Sequence, residues 1–306
     1  MLLGESPTLT QQQVADAAGV PVELANELWR LLGFPMGSPD DAAFTNADVE
    51  ALRLSAKLVS HGILSPDRQA ALVRTWGRSF ARLAEWQTAL LAELATERPG
   101  DTVEELASLA VGIVPDLEAL QSYVWRRHAA SAATRLLTTA LDGTALTMAV
   151  CFVDIVGYTS RSRSLSEQEL VAWVEQFEDA CTGLVVDHGG RVIKTLGDAV
   201  LFVCDDVVGA AEVALTATER GADPDDRFPA VRAGLAHGEV VARLGDVFGP
   251  TVNIASRLTA VARPGTVVVD EGAADALTGG YSLVRLRRTS VKGYSRLQPF
   301  ALRRVR

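Results

Sequence analysis

The sequence has little of what marks disulfide-stapled or zinc-knuckle proteins. It contains three cysteines, Cys151, Cys181 and Cys204, and they form no CxxC pair. Neither a disulfide framework nor a zinc knuckle can be inferred from that spacing. We therefore expect the three to be small buried hydrophobic residues.

Export and membrane signals are missing as well. The opening MLLGESPTLTQQQ has no positively charged stretch followed by an apolar run, which a signal peptide requires. No uninterrupted apolar run reaches about 18 residues, the length that spans a bilayer. The sequence predicts a chain without a membrane span, in the cytoplasm.

Positive charge is also scarce. Lys and Arg number 29 against 38 Asp and Glu, giving a net charge of −9, which disfavours sequence-independent binding to nucleic acid. The 306 residues predict two domains, and an apolar fraction of 48% is enough to build their cores.

Residues 9–140 show apolar residues at three- and four-residue spacing, which is typical of helices. The predicted helices cover residues 8–18, 21–33, 45–59, 66–96 and 102–120, followed by a connecting helix over 124–141. Thr45 is the expected N-cap of the third helix. Its buried side is predicted to be Val49, Leu52, Leu54, Leu58 and Val59.

From about residue 146 the sequence pattern changes to short β-rich runs that alternate with helices. Strands are expected in TMAVCFVDI, RVIKTLG, AVLFVCD, AVRAGLAHGEVVARL and TVVVD, and helices over 166–187, 207–220 and 250–261. This alternation predicts an α/β sheet domain. The predicted division is a helical domain (1–123), a linker helix (124–145) and a sheet domain (146–306).

The segment FVDIVGYT, residues 152–159, places Asp154 at a strand end before a glycine turn. A carboxylate there can hold Mg²⁺ while the N–H groups of Gly157, Tyr158 and Thr159 contact phosphate oxygens. Taken alone, an aspartate at this position is as well explained as a turn cap.

The segment KTLGDAVLF, residues 194–202, places Gly197-Asp198 in a hairpin between two apolar strands. Two carboxylates on neighbouring strand ends can share two metal ions. Lys194 shares a face with Asp198 if the strand pleat persists up to the turn. The alternatives are a simple turn and a solvated lysine.

The segment GDVFGPTVNIASRL, residues 245–258, opens a helix at Gly249-Pro250. Asn253 and Arg257 are four residues apart and project from one face. They could hold a ribose and stabilise phosphate charge, or simply form a polar outer surface.

These three segments, in this order and spacing, resemble the catalytic domain of class III adenylyl cyclases over residues 146–306. The resemblance implies an α+β, ferredoxin-like βαββαβ fold behind an all-α regulatory domain. It implies a metal site at Asp154, Ile155 and Asp198 for two Mg²⁺ or Mn²⁺ ions. Lys194 and Asp246 would recognise adenine, and Asn253 and Arg257 would stabilise the transition state.

ATP is the substrate that this pair implies, because a lysine donor suits adenine N1 and a carboxylate accepts from the amine. The resemblance also implies a head-to-tail homodimer with two composite sites. Phe248 stands where many members have Trp, the arm over 239–246 is short, and Arg243 is the nearest candidate for a further phosphate-binding arginine. A guanylyl cyclase is the alternative enzyme.

The N-terminal half looks like a helix-turn-helix unit of MerR-type regulators, but its second helix carries Glu23, Asn26 and Glu27 with a lone Arg30. Acidic side chains repel phosphate, so DNA binding is not expected. A nucleotide-sensing transcription regulator stays open as an alternative.

The same half resembles the autoinhibitory domain of mycobacterial pH-sensing adenylyl cyclases. That resemblance implies restraint of the catalytic domain through the linker helix, with a proton or a lipid as effector. His128 is the candidate proton sensor, and a solvated surface histidine is the alternative.

Overall fold

The chain divides into two units, residues 1–134 and 135–306. The structure, a computed structural model, describes residues 5–97, 102–142, 146–243, 245–277, 279–291 and 294–305. None of the helices in these ranges combines the length and the apolar character that crossing a bilayer demands.

Helices make up the N-terminal region: α1 (Gln11–Ala18), α2 (Val22–Leu32), α3 (Asn46–Ser60), α4 (Pro66–Thr96) and α5 (Thr102–Asp142). The first begins at Gln11 rather than at Thr8, because Thr10 is its N-cap and accepts a hydrogen bond from the Gln13 N–H. Thr45 caps α3 as predicted, in a capping box with Asp48.

A small apolar core joins α1, α2, α3 and the start of α4. Trp29 and Phe44 stack within it, with ring centroids 4.3 Å apart. Val49 and Leu52 are buried there as predicted, and Leu58 and Val59 are half-buried. The prediction for Leu54 is wrong, since 63% of it is exposed. Two residues beyond Leu52, it projects from the opposite side of the helix.

One continuous helix, α5, replaces the two helices predicted over 102–120 and 124–141. The predicted interruption was wrong because residues 121–123 contain neither Gly nor Pro. Pro115 lies inside the helix, although proline removes one backbone hydrogen bond there.

The second unit contains the strands β1 (Thr147–Ile155), β2 (Arg191–Thr195), β3 (Ala199–Cys204), β4 (Val231–Glu239), β5 (Val241–Arg243), β6 (Asp246–Phe248), β7 (Val267–Val269), β8 (Tyr281–Arg285), β9 (Thr289–Val291), β10 (Tyr294–Leu297) and β11 (Phe300–Arg304). Its helices are α6 (Tyr158–Ser162), α7 (Glu167–Asp187), α8 (Val207–Arg220), α9 (Pro250–Val261) and α10 (Glu271–Ala276). β1 and α9 have the predicted bounds.

A seven-stranded sheet in the order β2-β3-β1-β4-β7-β11-β8 forms the centre of this unit. The chain order β1-α7-β2-β3-α8-β4 and the antiparallel pairing of β1 with β3 and β4 are those of a ferredoxin-like βαββαβ unit. The predicted fold class is confirmed.

Helices cover both faces of the sheet. On one face, Cys151 and Val153 of β1 pack with residues of α7 and α8. On the other face, Val150 and Phe152 pack with α9. A Cβ on Gly234 of β4 would lie 2.2 Å from the Thr259 nitrogen. Glycine therefore lets α9 approach the sheet closely enough to fix its position.

The three cysteines are buried and free, as expected. Burial is the main reason that the pKa values of Cys181 and Cys204 rise to about 12, and it also raises that of Cys151. Their thiols are therefore protonated at neutral pH and are not nucleophiles.

Strand predictions were less accurate toward the C-terminus. The run over 230–244 was predicted as one strand, but it divides into β4 and β5 around Val240, whose side chain is buried. β8 to β11 were not predicted, because several of their residues are charged and the alternation is weak.

Candidate active site

Asp154 and Asp198 lie side by side at one end of the sheet. Asp154 pairs across the ladder with Ala199, the residue after Asp198. The Ile155 N–H donates to the Asp198 carbonyl at 2.9 Å. Gly197, with a φ of 71°, forms the tight turn of the hairpin. The structure therefore places the two aspartates predicted to bind metal at neighbouring backbone positions of adjacent strands.

The Ile155 carbonyl adds a third oxygen at this position. Among the described residues, no reciprocal hydrogen bond runs from the Asp198 N–H to that carbonyl. Strand partners usually exchange both bonds. The carbonyl oxygen is thus left available for another partner.

Arg232 is a site residue that the sequence analysis missed. Its Nε donates to Asp154 Oδ2 at 2.7 Å, and a second guanidinium nitrogen lies 2.7 Å from the same oxygen. Arg232 is opposite Asp154 in the β1–β4 register. The available signal was a single charged residue within the otherwise apolar run VRAGLAHG.

Residues 157–159 lie at the start of α6. Gly157 has a φ of 73° and is the N-cap of this short helix. No backbone hydrogen bond from the N–H groups of Gly157, Tyr158 or Thr159 is formed within the part of the chain that the structure describes. First-turn donors of this kind are free to bind an anion.

Lys194 and Asp246 meet although 52 residues separate them. Lys194 Nζ donates to Asp246 Oδ2 at 2.5 Å. Lys194 is on β2, and Asp246 begins β6 and also accepts from the Val247 N–H. The pair is partly exposed.

The proposed face shared by Lys194 and Asp198 is not found. β2 has a register shift between Val192 and Lys194 and ends at Thr195. The pleat therefore does not continue to Asp198, and the period-two argument fails. Lys194 pairs with Asp246 instead.

Asn253 and Arg257 are both exposed on α9, one turn apart. Gly249 and Pro250 begin this helix as predicted. In the described ranges, no side-chain hydrogen bond or ion pair links Asn253, Arg257, Lys194 or Asp246 to the Asp154–Asp198 carboxylates. The contacts of the described residues therefore join Lys194 to Asp246 and Arg232 to Asp154, and none of them joins the two pairs.

Oxygen donors at Asp154, Ile155 and Asp198 fit a hard divalent cation such as Mg²⁺ or Mn²⁺. Within the described residues, no three or more His, Cys, Asp or Glu side chains gather as a cation site. Two carboxylates and a carbonyl suit Mg²⁺, which usually takes its other ligands from phosphate and water.

Profiles of two known families match the chain. The profile described as "Adenylate and Guanylate cyclase catalytic domain" matches residues 144–304. A second profile, "Adenylate cyclase regulatory domain", matches residues 1–124. The chain belongs to the class III adenylate cyclase family.

The cyclase has curated relatives along most of its length. An adenylate cyclase of Streptomyces coelicolor is 43% identical over 283 residues, which cover 90% of this chain and 74% of the relative. One from Glutamicibacter nicotianae is 36% identical, covering 98% of this chain and 80% of the relative. A pH-sensitive adenylate cyclase of Mycobacterium tuberculosis is 33% identical, covering 90% and 72%.

Proposed function

We propose that the cyclase converts ATP to 3′,5′-cyclic AMP and pyrophosphate at two composite sites of a homodimer. The observation that carries this proposal is the contact of Lys194 with Asp246 at 2.5 Å. A donor and an acceptor held together match the acceptor N1 and the donor amine of adenine. Guanine presents the opposite pattern, so guanylyl cyclase activity is the weaker candidate.

The triphosphate end is assigned to Asp154, Ile155 and Asp198 as metal ligands, with the N–H groups of residues 157–159 facing phosphate. Two Mg²⁺ or Mn²⁺ ions held here would activate the ribose 3′-hydroxyl and neutralise the departing pyrophosphate. Arg232 adds a positive charge beside Asp154, so the half-buried carboxylate has a counter-ion.

Asn253 is assigned to orienting the ribose and Arg257 to countering the charge that develops on the α-phosphate. Attack of the 3′-oxygen on this phosphorus displaces pyrophosphate in line and needs no covalent enzyme intermediate. Positioning and charge therefore supply the catalysis.

The homodimer is the assembly that the family resemblance implies, with each site divided between two subunits. Asp154 and Asp198 would belong to one subunit of each site, and Lys194, Asp246, Asn253 and Arg257 to the other. Val241 and Phe248, on the β5–β6 hairpin, are 62% and 50% exposed. Exposed apolar residues beside a site suit a subunit interface.

Autoinhibition by the N-terminal region is the second part of the proposal. α4 and α5 expose large apolar side chains, including Trp86 at 60%, Tyr123 at 59% and Trp125 at 63%. Such faces favour contact with another subunit. α5 contains the predicted linker over 124–145 as far as Asp142, and β1 begins at Thr147.

The effector and the location stay predictions. His128 is exposed on α5, which suits a proton sensor and a solvated surface residue equally. A lipid effector and the cytoplasm are implied by resemblance alone. DNA binding by α2 is disfavoured, because its exposed side carries Glu23 and Glu27 with Arg30 as the one cation.

The direct test is cyclic-nucleotide production by the full chain from ATP and from GTP, with Mg²⁺ or Mn²⁺, at acid and neutral pH. Metal-dependent cyclic AMP is expected, with little cyclic GMP. A folded protein that yields neither product would favour the nucleotide-sensing regulator. DNA fragments retarded in a gel shift would support that regulator positively.

A further inference from the structure

An aromatic pair ties the segment of residues 157–159 to α7. The Tyr158 ring stacks on the Trp173 ring with centroids 5.9 Å apart and an interplanar angle of 10°. Both rings are half-buried and pack against the apolar core on the α7–α8 face of the sheet. Trp173 therefore contacts the first residue of α6, which lies 15 positions earlier in the chain.

Hydrogen bonds also stabilise the segment between Tyr158 and Trp173. Ser166 is the N-cap of α7, and its N–H and hydroxyl donate to Glu169 at 2.9 and 2.8 Å. These two hydrogen bonds are the main reason that the pKa of Glu169 is lowered, with a smaller attraction from Arg161 of α6. The Tyr158–Trp173 stack and the Ser166–Glu169 hydrogen bonds thus restrain the connection between α6 and α7.

We infer that Trp173 is a positioning residue for the triphosphate, acting through Tyr158 on the N–H groups of residues 157–159. The inference rests on the proposed function of this segment. Hydrogen bonds to phosphate need donors held at about 2.9 Å in a fixed direction. Packing of the Tyr158 side chain, the one aromatic side chain of residues 157–159, keeps those donors oriented before the nucleotide binds.

Ordinary core packing is the competing explanation for Trp173. Phe177 lies one turn further along α7, is fully buried, and packs on Phe228 with centroids 5.6 Å apart. Its ring pairs with Phe228, whereas the Trp173 ring pairs with Tyr158. A substitution at Phe177 therefore disturbs the same helix and core while keeping the Trp173 ring that stacks on Tyr158.

The experiment compares the full-length Trp173→Ala, Trp173→Leu and Trp173→Phe variants with a Phe177→Leu control. Four quantities are measured: KM and kcat for ATP, the Kd of inorganic pyrophosphate by calorimetry with Mg²⁺, and Tm. Alanine and leucine should raise both KM and the pyrophosphate Kd about three- to tenfold, the range of one aromatic contact. The change in kcat should be smaller, and phenylalanine should restore the parent values to within about twofold.

Phe177→Leu should lower Tm and leave KM and the pyrophosphate Kd unchanged. The inference is overturned if Trp173→Leu leaves both unchanged, or if Phe177→Leu shifts them equally. A parent enzyme that binds pyrophosphate but makes no cyclic AMP would defeat the proposed function instead, and the calorimetry would still decide the role of Trp173.

Discussion

The two regions of the cyclase bury their apolar residues in different ways. In the catalytic region, strands such as β1 alternate between two cores, and helices cover both faces of the sheet. In the N-terminal region, most of the side chains that the structure describes in α4 and α5 are exposed, several aromatic ones among them. A region that completes its own core can hold side chains in fixed geometry. One that exposes aromatic residues gains stability from a partner, which suits regulation.

The largest expected effect comes from removing a carboxylate at the end of the sheet. Asp198→Ala should lower cyclic AMP production by about a thousandfold or more, because one metal ligand is lost. Its fold should persist, since the Asp198 side chain makes no hydrogen bond in the described structure. The assay is cyclic AMP formation at saturating ATP and Mn²⁺.

Asp205→Ala is the matched control, at the opposite end of β3 in a loose ion pair with Arg191 at 3.6 Å. It should keep nearly full activity. Equal losses in the two variants would mean that charge in general, and not the Asp154–Asp198 position, supports the reaction.

A second, smaller effect is expected on substrate choice. Replacing Lys194 and Asp246 together, as Lys194→Glu with Asp246→Ser, should lower kcat/KM for ATP about a hundredfold and raise it for GTP. The reason is that the hydrogen-bond pattern offered to the base is reversed. Steady-state kinetics with both nucleotides measures the ratio. An unchanged ratio of kcat/KM for ATP and GTP would show that Lys194 and Asp246 do not recognise the base.

Placing charge on the exposed apolar faces of the N-terminal region should change self-association and basal activity several-fold. Trp86→Glu with Trp125→Glu should weaken self-association about tenfold and, at protein concentrations where the dimer persists, raise basal activity a few-fold, because charge would be placed in the proposed contact between subunits. Sedimentation velocity and cyclic AMP assays measure the two changes. Arg82→Glu, also exposed on α4, serves as a charge control and should change neither.

The smallest effect concerns the pH dependence of stability in the catalytic region. Partial burial would raise the pKa of Glu212, but hydrogen bonds from Arg304 and Tyr281 outweigh it, and the pKa is lowered below the ordinary value of 4.5. Glu212 therefore stabilises the fold above that value, and the stabilisation is lost as pH falls through the lower folded pKa.

Glu212→Gln should accordingly cost about 2 °C in Tm at pH 7, and the difference from the parent should shrink below pH 4.5. Differential scanning calorimetry across this range measures it. A difference that is constant with pH would assign the contribution of Glu212 to packing rather than to charge.

Sequence reasoning worked best where the pattern is local. The bounds of β1 follow from a short β-rich run, those of α9 from helical spacing, and the turn at Gly197 from turn chemistry. The approach of Arg232 to Asp154 depends on strand register between residues 78 apart, which local patterns do not specify. α5 is continuous because residues 121–123 contain no helix-breaking residue, a local signal that the prediction of two helices did not use.

The central claim is that each active site takes residues from two subunits, and mixing two inactive variants tests it directly. Asp198→Ala and Asn253→Ala would each be inactive alone. Mixed in equal amounts and allowed to exchange subunits, half of the dimers are mixed and hold one intact site, so about a quarter of the parent activity should return. Activity that stays at background, with exchange confirmed by a labelled subunit, would contradict the composite site.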